Sequence, residues 1–110
     1  MAKRNGGVVC ERCTFAATPL ARMRGLLGRR GLESDEGILL RPAASVHTAF
    51  MRFPIDVVFL DRDLNVMRVE ADMPPWRTAA ARRAKAVLEL RAGEAARRGL
   101  APGDSLEIAA

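Results

Sequence analysis

The strongest constraint on the fold is an apolar stretch at residues 55–60, which lies between a proline and an acidic turn. It reads IDVVFL, rich in β-branched and aromatic residues, and the sequence Asp61-Arg62-Asp63 follows it directly. This composition is typical of a buried strand that runs into a turn. Residues 66–71 then alternate between polar and apolar side chains, so the two segments predict an antiparallel hairpin.

Two helices are expected in addition to this hairpin. The first spans about residues 18–28, because Thr18 is a good N-cap and Pro19 suits the first helical position. Its apolar side chains recur at helical spacing, while three arginines fall on the opposite side. The predicted apolar face consists of Leu20, Met23, Leu26 and Leu27, and the opposite side carries Arg22, Arg24 and Arg29. A second, short helix is expected at about 93–98, before Gly99.

The remaining segments predict a mainly β domain. Further short strands are expected at 7–10, 37–40, 85–90 and 105–108, whereas 78–84 has helical propensity without an apolar stripe. Helices and strands do not alternate regularly, which disfavours a doubly wound fold. We therefore expect a small, mostly antiparallel β barrel or sandwich of about six short strands, with an α+β arrangement as the alternative. Residues 1–6 are expected to be a flexible tail, and residues 7–110 a single domain.

Composition and charge narrow the function classes. The formal net charge is +5 and comes almost wholly from arginine. These arginines are scattered in pairs without aromatic residues between them, which argues against a nucleic-acid stacking surface. No apolar run reaches the ~20 residues that a membrane span requires, and the N-terminus does not resemble a signal peptide. The expected location is the cytoplasm.

The two cysteines, Cys10 and Cys13, stand in a C-x-x-C spacing. One such pair supplies only half of a zinc site, and the chain has a single histidine to add to it. We interpret them as incidental, partly buried thiols, with a redox pair or a metal site between chains as alternatives. No cofactor and no metal are predicted.

Candidate site residues cluster in residues 45–56 and in the Trp76-Arg77 loop. The predicted ligand-binding set contains His47, Thr48, Met51, Arg52, Phe53, Asp56, Trp76 and Arg77. A tryptophan held behind two prolines and next to an arginine is typical of an interaction hot spot, although it could equally serve as a plug of the core. His47 could instead be a structural histidine that hydrogen-bonds the backbone.

Two carboxylates within predicted strands could have either a structural or a chemical role. Asp56 should face the same side as Val58 and Leu60, and a buried carboxylate there needs a partner, for which Arg52 is the nearest candidate. A ligand-facing acid is the alternative. Together with His47 and Glu89, Asp56 could also supply acid–base chemistry if the three groups converged.

A third acidic motif, Asp61-x-Asp63-x-Asn65, begins like a calcium loop but has Val66 in place of the required glycine. It is interpreted as a hairpin turn.

Five segments in this order resemble the bacterial and archaeal DUF192 family over about residues 7–108. The segments read RMRGLLGRRGL, GILL-x-P, SVHTAFMRFPIDVVFLDRD, MPPWR and AVLELRAGEAARRGLAPGDSLEI. The resemblance implies a compact β-rich domain of unknown function. The resemblance also implies that many members carry a signal or membrane anchor, which is not expected for this sequence, and that some are encoded near pilus or secretion components.

Three functions therefore remain open. The first is a noncatalytic binding module for a small polar or anionic ligand or a peptide, at a groove formed by residues 45–56 and the Trp76-Arg77 loop. The second is a small hydrolase or carbohydrate-modifying enzyme that uses His47, Asp56 and Glu89. The third is an assembly protein related to secretion or pili. The oligomeric state is not predicted.

Overall fold

The computed structural model describes residues 1–18, 20–22 and 29–108, and these form a mainly β domain. In the described residues there are nine strands and one complete short helix, α1 (Glu94–Arg97). The strands are β1 (Ala2–Lys3), β2 (Arg12–Ala16), β3 (Glu36–Leu40), β4 (Ser45–His47), β5 (Ile55–Leu60), β6 (Val66–Met73), β7 (Thr78–Ala80), β8 (Ala86–Arg91) and β9 (Leu106–Glu107). The prediction of a small domain with mostly antiparallel strands is confirmed.

The main sheet has five strands in the order β2-β3-β8-β5-β6. Only the β2–β3 pair is parallel, and the other neighbours are antiparallel. Every residue of β5 is buried, and so is every residue of β8 before Arg91. A strand buried on both faces reads as a nearly continuous apolar run, which explains the IDVVFL stretch.

The core is divided between the two faces of this sheet. One layer contains Ile38, Leu40, Ile55, Val57, Phe59 and Val87, and the other contains Leu39, Val58, Leu60, Leu88, Leu90 and Leu106. Residues directly opposite in antiparallel strands share a face. Asp56 pairs with Leu90, and Val57 pairs with Glu89. The two buried carboxylates, Asp56 and Glu89, therefore project from opposite faces of the sheet.

Two two-stranded ribbons complete the domain, β1–β9 and β4–β7. In the first, the N-terminal segment is folded against the body rather than frayed as expected. Met1 is buried, and its amino group donates to the carbonyl oxygen of Cys10 at 2.9 Å. The pairing of Ala2–Lys3 with Leu106–Glu107 is a contact between distant parts of the sequence, which local composition does not encode.

Several local predictions are confirmed and others need correction. The β5–β6 hairpin is present, and α1 lies within the predicted 93–98 helix. The expected strand at 7–10 is reduced to a single bridge between Ala2 and Val8, whereas β2 at 12–16 was not expected. Residues 78–80 form β7 rather than a helical turn because β4 supplies a pairing partner, and such tertiary pairing overrides weak local propensity.

The predicted helix at 18–28 falls mostly outside the described residues, since 19 and 23–28 are not among them. Residues 20–22 are helical, and the Thr18 side chain accepts a hydrogen bond from the Ala21 N–H at 3.1 Å, as an N-cap does. The expected orientation is wrong at two positions: Leu20 is 59% exposed, whereas Arg22 is only 6% exposed. The buried carboxylate of Glu89 explains this reversal, as described below.

Candidate functional site

Residues 48–53 and the 74–77 loop meet at an exposed pair of aromatic rings. Phe50 and Trp76 lie with their ring centroids 4.7 Å apart in an edge-to-face arrangement, a favourable geometry for aromatic side chains. Phe50 is 64% exposed and Trp76 is 61% exposed. We call these two residues the aromatic platform.

Both residues of the platform have a left-handed backbone. The φ angle is 66° at Phe50 and 64° at Trp76, a region that bulky non-glycine residues rarely adopt. Such conformations cost roughly 1–3 kcal/mol each and persist only where surrounding structure fixes them. Here the strain places two large apolar rings in solvent, which does not serve packing of the core.

Thr48 fixes the two loops together. Its buried hydroxyl donates to the carbonyl oxygen of Pro74 at 2.7 Å and accepts from the Arg77 N–H at 2.8 Å. Its backbone N–H donates to the Arg77 carbonyl at 2.8 Å, and its carbonyl accepts from the Trp76 N–H at 3.0 Å. This one residue therefore sets the backbone on which the Trp76 ring is presented.

Basic residues flank Phe50 and Trp76 in sequence. Arg52 and Arg77 are exposed, and among the described residues neither forms a salt bridge, although one Arg77 Nη donates to the Trp76 carbonyl at 3.3 Å. His47 is also exposed, and its ring has no hydrogen bond within the described part of the chain. The structure therefore does not support a backbone-bonded, structural histidine.

A groove of about 530 Å³ lies over the β4–β7 ribbon, and His47 and Thr78, which line it, adjoin Thr48 and Arg77 in the two segments that carry the platform. Much of its lining consists of small side chains: Ala16, Ala17, Ala43, Ala44, Ala79 and Ala80. Its polar groups come from Thr18, Arg22, Ser45, His47 and Thr78. We call it the alanine groove. Apolar walls with a few polar groups are typical of binding sites.

A buried ion pair lies at this groove. Arg22 lines the groove and donates through Nε and Nη2 to the two carboxylate oxygens of Glu89, at 2.7 Å and 2.6 Å. The Glu89 side chain is fully buried in the sheet. A buried carboxylate is very costly without a charged partner, so Arg22 turns inward despite lying on the predicted polar side of its helix.

Asp56, unlike Glu89, is satisfied by backbone groups and not by a charged side chain. Its carboxylate accepts hydrogen bonds from the backbone N–H groups of Asp72, Gly93 and Ala95, at 2.8, 3.0 and 2.9 Å. It therefore joins β5 to the end of β6 and to the first turn of α1. The expected ion pair with Arg52 is absent, because backbone donors already satisfy both oxygens.

A family model described as an uncharacterized ACR, DUF192, matches residues 1–108. The chain belongs to the DUF192 family. No curated protein matches it.

Two solved structures resemble this DUF192 chain. A protein of unknown function from Novosphingobium aromaticivorans has 31% sequence identity and a TM-score of 0.77, over 87% of this chain and 74% of that one. A Sinorhizobium meliloti protein, described as a candidate transcription regulator, has 26% identity and a TM-score of 0.79, over 96% of this chain and 88% of that one.

Some of the residues predicted for the binding site of this DUF192 domain lie together, and others do not. His47, Thr48, Trp76 and Arg77 lie where the two segments meet. Met51 and Phe53 are each 8% exposed, so they support the loop from below rather than forming open walls. Asp56 is fully buried. His47, Asp56 and Glu89 do not converge, because the two carboxylates point to opposite faces and each is fully engaged.

Phe50 is the residue that the sequence reasoning missed. Its exposure depends on a left-handed backbone that composition does not reveal. The available signal was its place between His47 and Pro54 in the segment already singled out. Trp76 is not a plug of the core in this DUF192 domain, because most of its ring is exposed.

Two further sequence motifs have structural outcomes. Cys10 and Cys13 are joined in a disulfide rather than remaining thiols. Gly37 permits this, since a Cβ there would lie 2.9 Å from the Cys10 sulfur.

Asp61 closes the hairpin turn: its Oδ1 accepts from the Asp63 and Asn65 N–H groups, both at 2.9 Å. The Asn65 N–H is the main cause of the lowered pKa of Asp61.

Two negative findings apply to the described residues alone. They contain no cluster of three side chains suited to hold a metal ion. They also contain no helix that is both long and apolar enough to cross a membrane.

Proposed function

We propose that this protein is a noncatalytic binding module that receives an acidic peptide segment at the aromatic platform and its surrounding arginines. The observation that carries the proposal is the exposed Phe50–Trp76 pair on left-handed backbone. A protein gains no core packing from two strained, exposed aromatic rings, whereas a binding surface gains rigid apolar area at low entropic cost.

Charge supports an acidic partner. Arg52, Arg77, Arg82 and Arg83 are all exposed, and none forms a salt bridge with another described residue. Elsewhere some arginines, such as Arg12 and Arg98, are paired with carboxylates, whereas others, such as Arg4 and Arg62, are exposed and have no salt bridge with a described residue. The arginines before and after β7 therefore belong to the positive charge that no described carboxylate compensates. An acidic segment would be drawn to this surface by long-range attraction and oriented by it.

The arrangement of titratable groups favours binding over catalysis. General acid–base chemistry needs groups within hydrogen-bond reach of a common reacting atom. His47 is on the surface ribbon, while Asp56 and Glu89 are buried on opposite faces of the main sheet. This arrangement therefore favours the binding proposal over the hydrolase alternative that uses these three residues.

Nucleic acid is the competing ligand class. The description of the Sinorhizobium meliloti protein as a candidate transcription regulator belongs to that protein, but it makes an oligonucleotide the natural comparison ligand. Arginine and exposed aromatic rings also suit single-stranded nucleic acid. The peptide proposal is preferred because the segments that carry the platform continue into a groove of small apolar side chains, which suits the side chains of a peptide better than phosphates.

The test is selection of peptides from a phage-displayed random library against the immobilised protein. Clones that the unaltered protein enriches should be rich in Asp and Glu, and should lose binding to the double variant Phe50→Ala/Trp76→Ala. Phe15→Ala is the matched control, since Phe15 is also exposed (57%) but lies on β2. Equal enrichment by the double variant would contradict the proposal, as would tighter binding of an oligothymidylate than of any selected peptide.

A further inference from the structure

The β4–β7 ribbon has a hydrogen-bonding pattern that leaves one edge open. The Ala81 N–H donates to Ala44 O at 3.0 Å, and the Thr48 N–H donates to Arg77 O at 2.8 Å. Pairs that exchange hydrogen bonds alternate along an antiparallel ladder with pairs that do not. Val46 and Ala79 are therefore the bonded pair between them, while the backbone groups of Ser45 and His47 point away from β7.

The two outer edges of this ribbon differ. On the β7 side, the Ala80 carbonyl accepts a hydrogen bond from an Arg68 Nη at 3.2 Å, so a side chain of β6 covers that edge. On the β4 side, the N–H and C=O groups of Ser45 and His47 have no hydrogen-bond partner among the described residues. Unpaired strand edges are templates for an added strand.

Both residues of this open edge also line the alanine groove. Ser45 and His47 both line it, together with Ala17, Ala43 and Ala44. An added strand would place alternate side chains on opposite faces, so every second residue of a bound peptide would meet these small side chains. The volume of about 530 Å³ leaves room for such side chains.

We propose that the outer edge of β4 binds an extended acidic peptide as an additional strand. Its backbone would exchange hydrogen bonds with Ser45 and His47, its apolar side chains would enter the alanine groove, and its carboxylates would face the arginines around the ribbon. This inference rests on the proposed function and specifies its binding mode, which is strand addition.

Charge decides between a peptide and a second copy of the chain as the occupant. Each copy carries a formal net charge of +5, and the arginines next to the ribbon, including Arg77 and Arg82, have no salt-bridge partner among the described residues. Pairing two β4 edges would bring these like charges together, which is unfavourable. An acidic segment would neutralise them.

The probe is a synthetic peptide of alternating Glu and Val, about six residues long, which matches a typical strand. Trp76 is the only tryptophan, so its fluorescence reports binding at the platform, and calorimetry measures affinity independently. The key variant is Ser45→Pro, because proline is tolerated where the N–H faces outward. It removes one donor of the open edge without removing a bond to β7.

Ser45→Pro should weaken binding about tenfold or more, through one lost hydrogen bond and the added ring. The matched comparison Ser45→Ala keeps the backbone N–H and removes only the side-chain hydroxyl, so it should weaken binding less than Ser45→Pro. The melting temperature of each variant checks folding. Two N-methylated peptides provide a test that does not depend on any variant: methylation of the amides on one edge of the strand should abolish binding, and methylation on the other edge should not.

The outcomes separate the inference from the proposed function. Equal binding by Ser45→Pro and Ser45→Ala would overturn strand addition, and the proposed function would still stand if Phe50→Ala/Trp76→Ala lost the peptide. If Ser45→Pro lost peptide binding and the aromatic double variant kept it, strand addition would be supported, and the role of the aromatic platform in binding would be overturned. A dimer in light scattering that Ser45→Pro dissociates would overturn the peptide as occupant in favour of a second copy, and preference for oligothymidylate would overturn it in favour of nucleic acid.

Discussion

The central strands β5 and β8 and the β4–β7 ribbon use their polar and aromatic residues in opposite ways. In β5 and β8 the two carboxylates are buried and fully satisfied, Asp56 by three backbone N–H groups and Glu89 by Arg22. Around the ribbon, two aromatic rings are exposed, and Arg52, Arg77, Arg82 and Arg83 are exposed without a salt bridge to any described residue. Polar groups in the sheet therefore serve the fold, whereas the apolar groups beside the ribbon are available for recognition.

This contrast separates the determinants of stability from those of binding. Changes in the sheet should lower the free energy of unfolding, and changes at the platform should leave it nearly unchanged. The position of a residue in a sequence motif does not distinguish the two classes, since Asp56 and Trp76 were both assigned to the same predicted site. Only the partners of each side chain distinguish them.

The largest effect is expected for Arg22→Ala. It would leave the Glu89 carboxylate buried in the central strand without its charged partner, which typically costs about 3–5 kcal/mol in the free energy of unfolding. Urea denaturation measures this loss. Arg12→Ala is the matched control, since the exposed Arg12–Asp35 pair is screened by solvent and should contribute far less to the free energy of unfolding. Equal losses in both variants would break the proposed contrast between sheet and surface.

Replacing both members of the buried ion pair should restore much of the stability that Arg22→Ala removes. In Arg22→Leu/Glu89→Leu both charges are replaced by apolar groups, and such replacements of buried pairs are often neutral or stabilising. The double variant should therefore be more stable than Arg22→Ala alone. A double variant as unstable as the single one would show that the residues act through packing rather than charge.

Asp56→Asn should have the next largest effect. The variant keeps one oxygen acceptor but loses the charge and places an amide NH₂ against backbone donors, so we expect a loss of ~2–3 kcal/mol. Relative to the unaltered protein, the variant should accelerate amide hydrogen exchange most at Gly93 and Ala95, whose N–H groups donate to Asp56. Asp63→Asn is the control, because the exposed Asp63 side chain supports no comparable contact. Unchanged exchange at α1 would contradict the proposed role.

How far the sequence predicted this structure depends on the range of the interactions. The β5–β6 hairpin and the turn at Asp61 were predictable because their signals are local: a buried apolar run, an alternating return and an Asx-type turn between them. The burial of Arg22 was not, because its partner Glu89 lies 67 residues away. Likewise, β1, β4 and β7 are too short to show a pattern without their pairing partners.

Within the candidate site, the same limit applies. The sequence singled out residues 45–56 and the Trp76 loop, and Thr48 joins the two segments in the structure. It could not show that Phe50 is the exposed apolar side chain of this segment, while Met51 and Phe53 are buried. Alternation along a strand decides that question only where the backbone is regular, and φ is positive at Phe50.

Acid should weaken the fold through a carboxylate on α1. Hydrogen bonds from Arg97, with a further contribution from Arg98, lower the pKa of Glu94 below its ordinary value. Because the folded pKa is lower than the unfolded one, the stabilisation is fully present above the ordinary pKa and is lost as the pH falls through the folded pKa. Thermal unfolding between about pH 6 and pH 3 should show a smaller decline in Glu94→Gln than in the unaltered protein. Parallel declines would exclude Glu94 as a contributor.

The smallest effect on stability is expected at the platform, in Phe50→Gly. Glycine relieves the left-handed strain at this position, but it increases the entropy of the unfolded chain and removes the contact with Trp76. These contributions oppose one another, so the free energy of unfolding should stay within ~1 kcal/mol of the original value, while affinity for acidic peptides should fall. Urea denaturation and peptide titration measure the two quantities on the same sample. A loss of more than ~2 kcal/mol would mean that the platform stabilises the fold. The distinction between a sheet that determines stability and a surface that determines binding would then be wrong for Phe50.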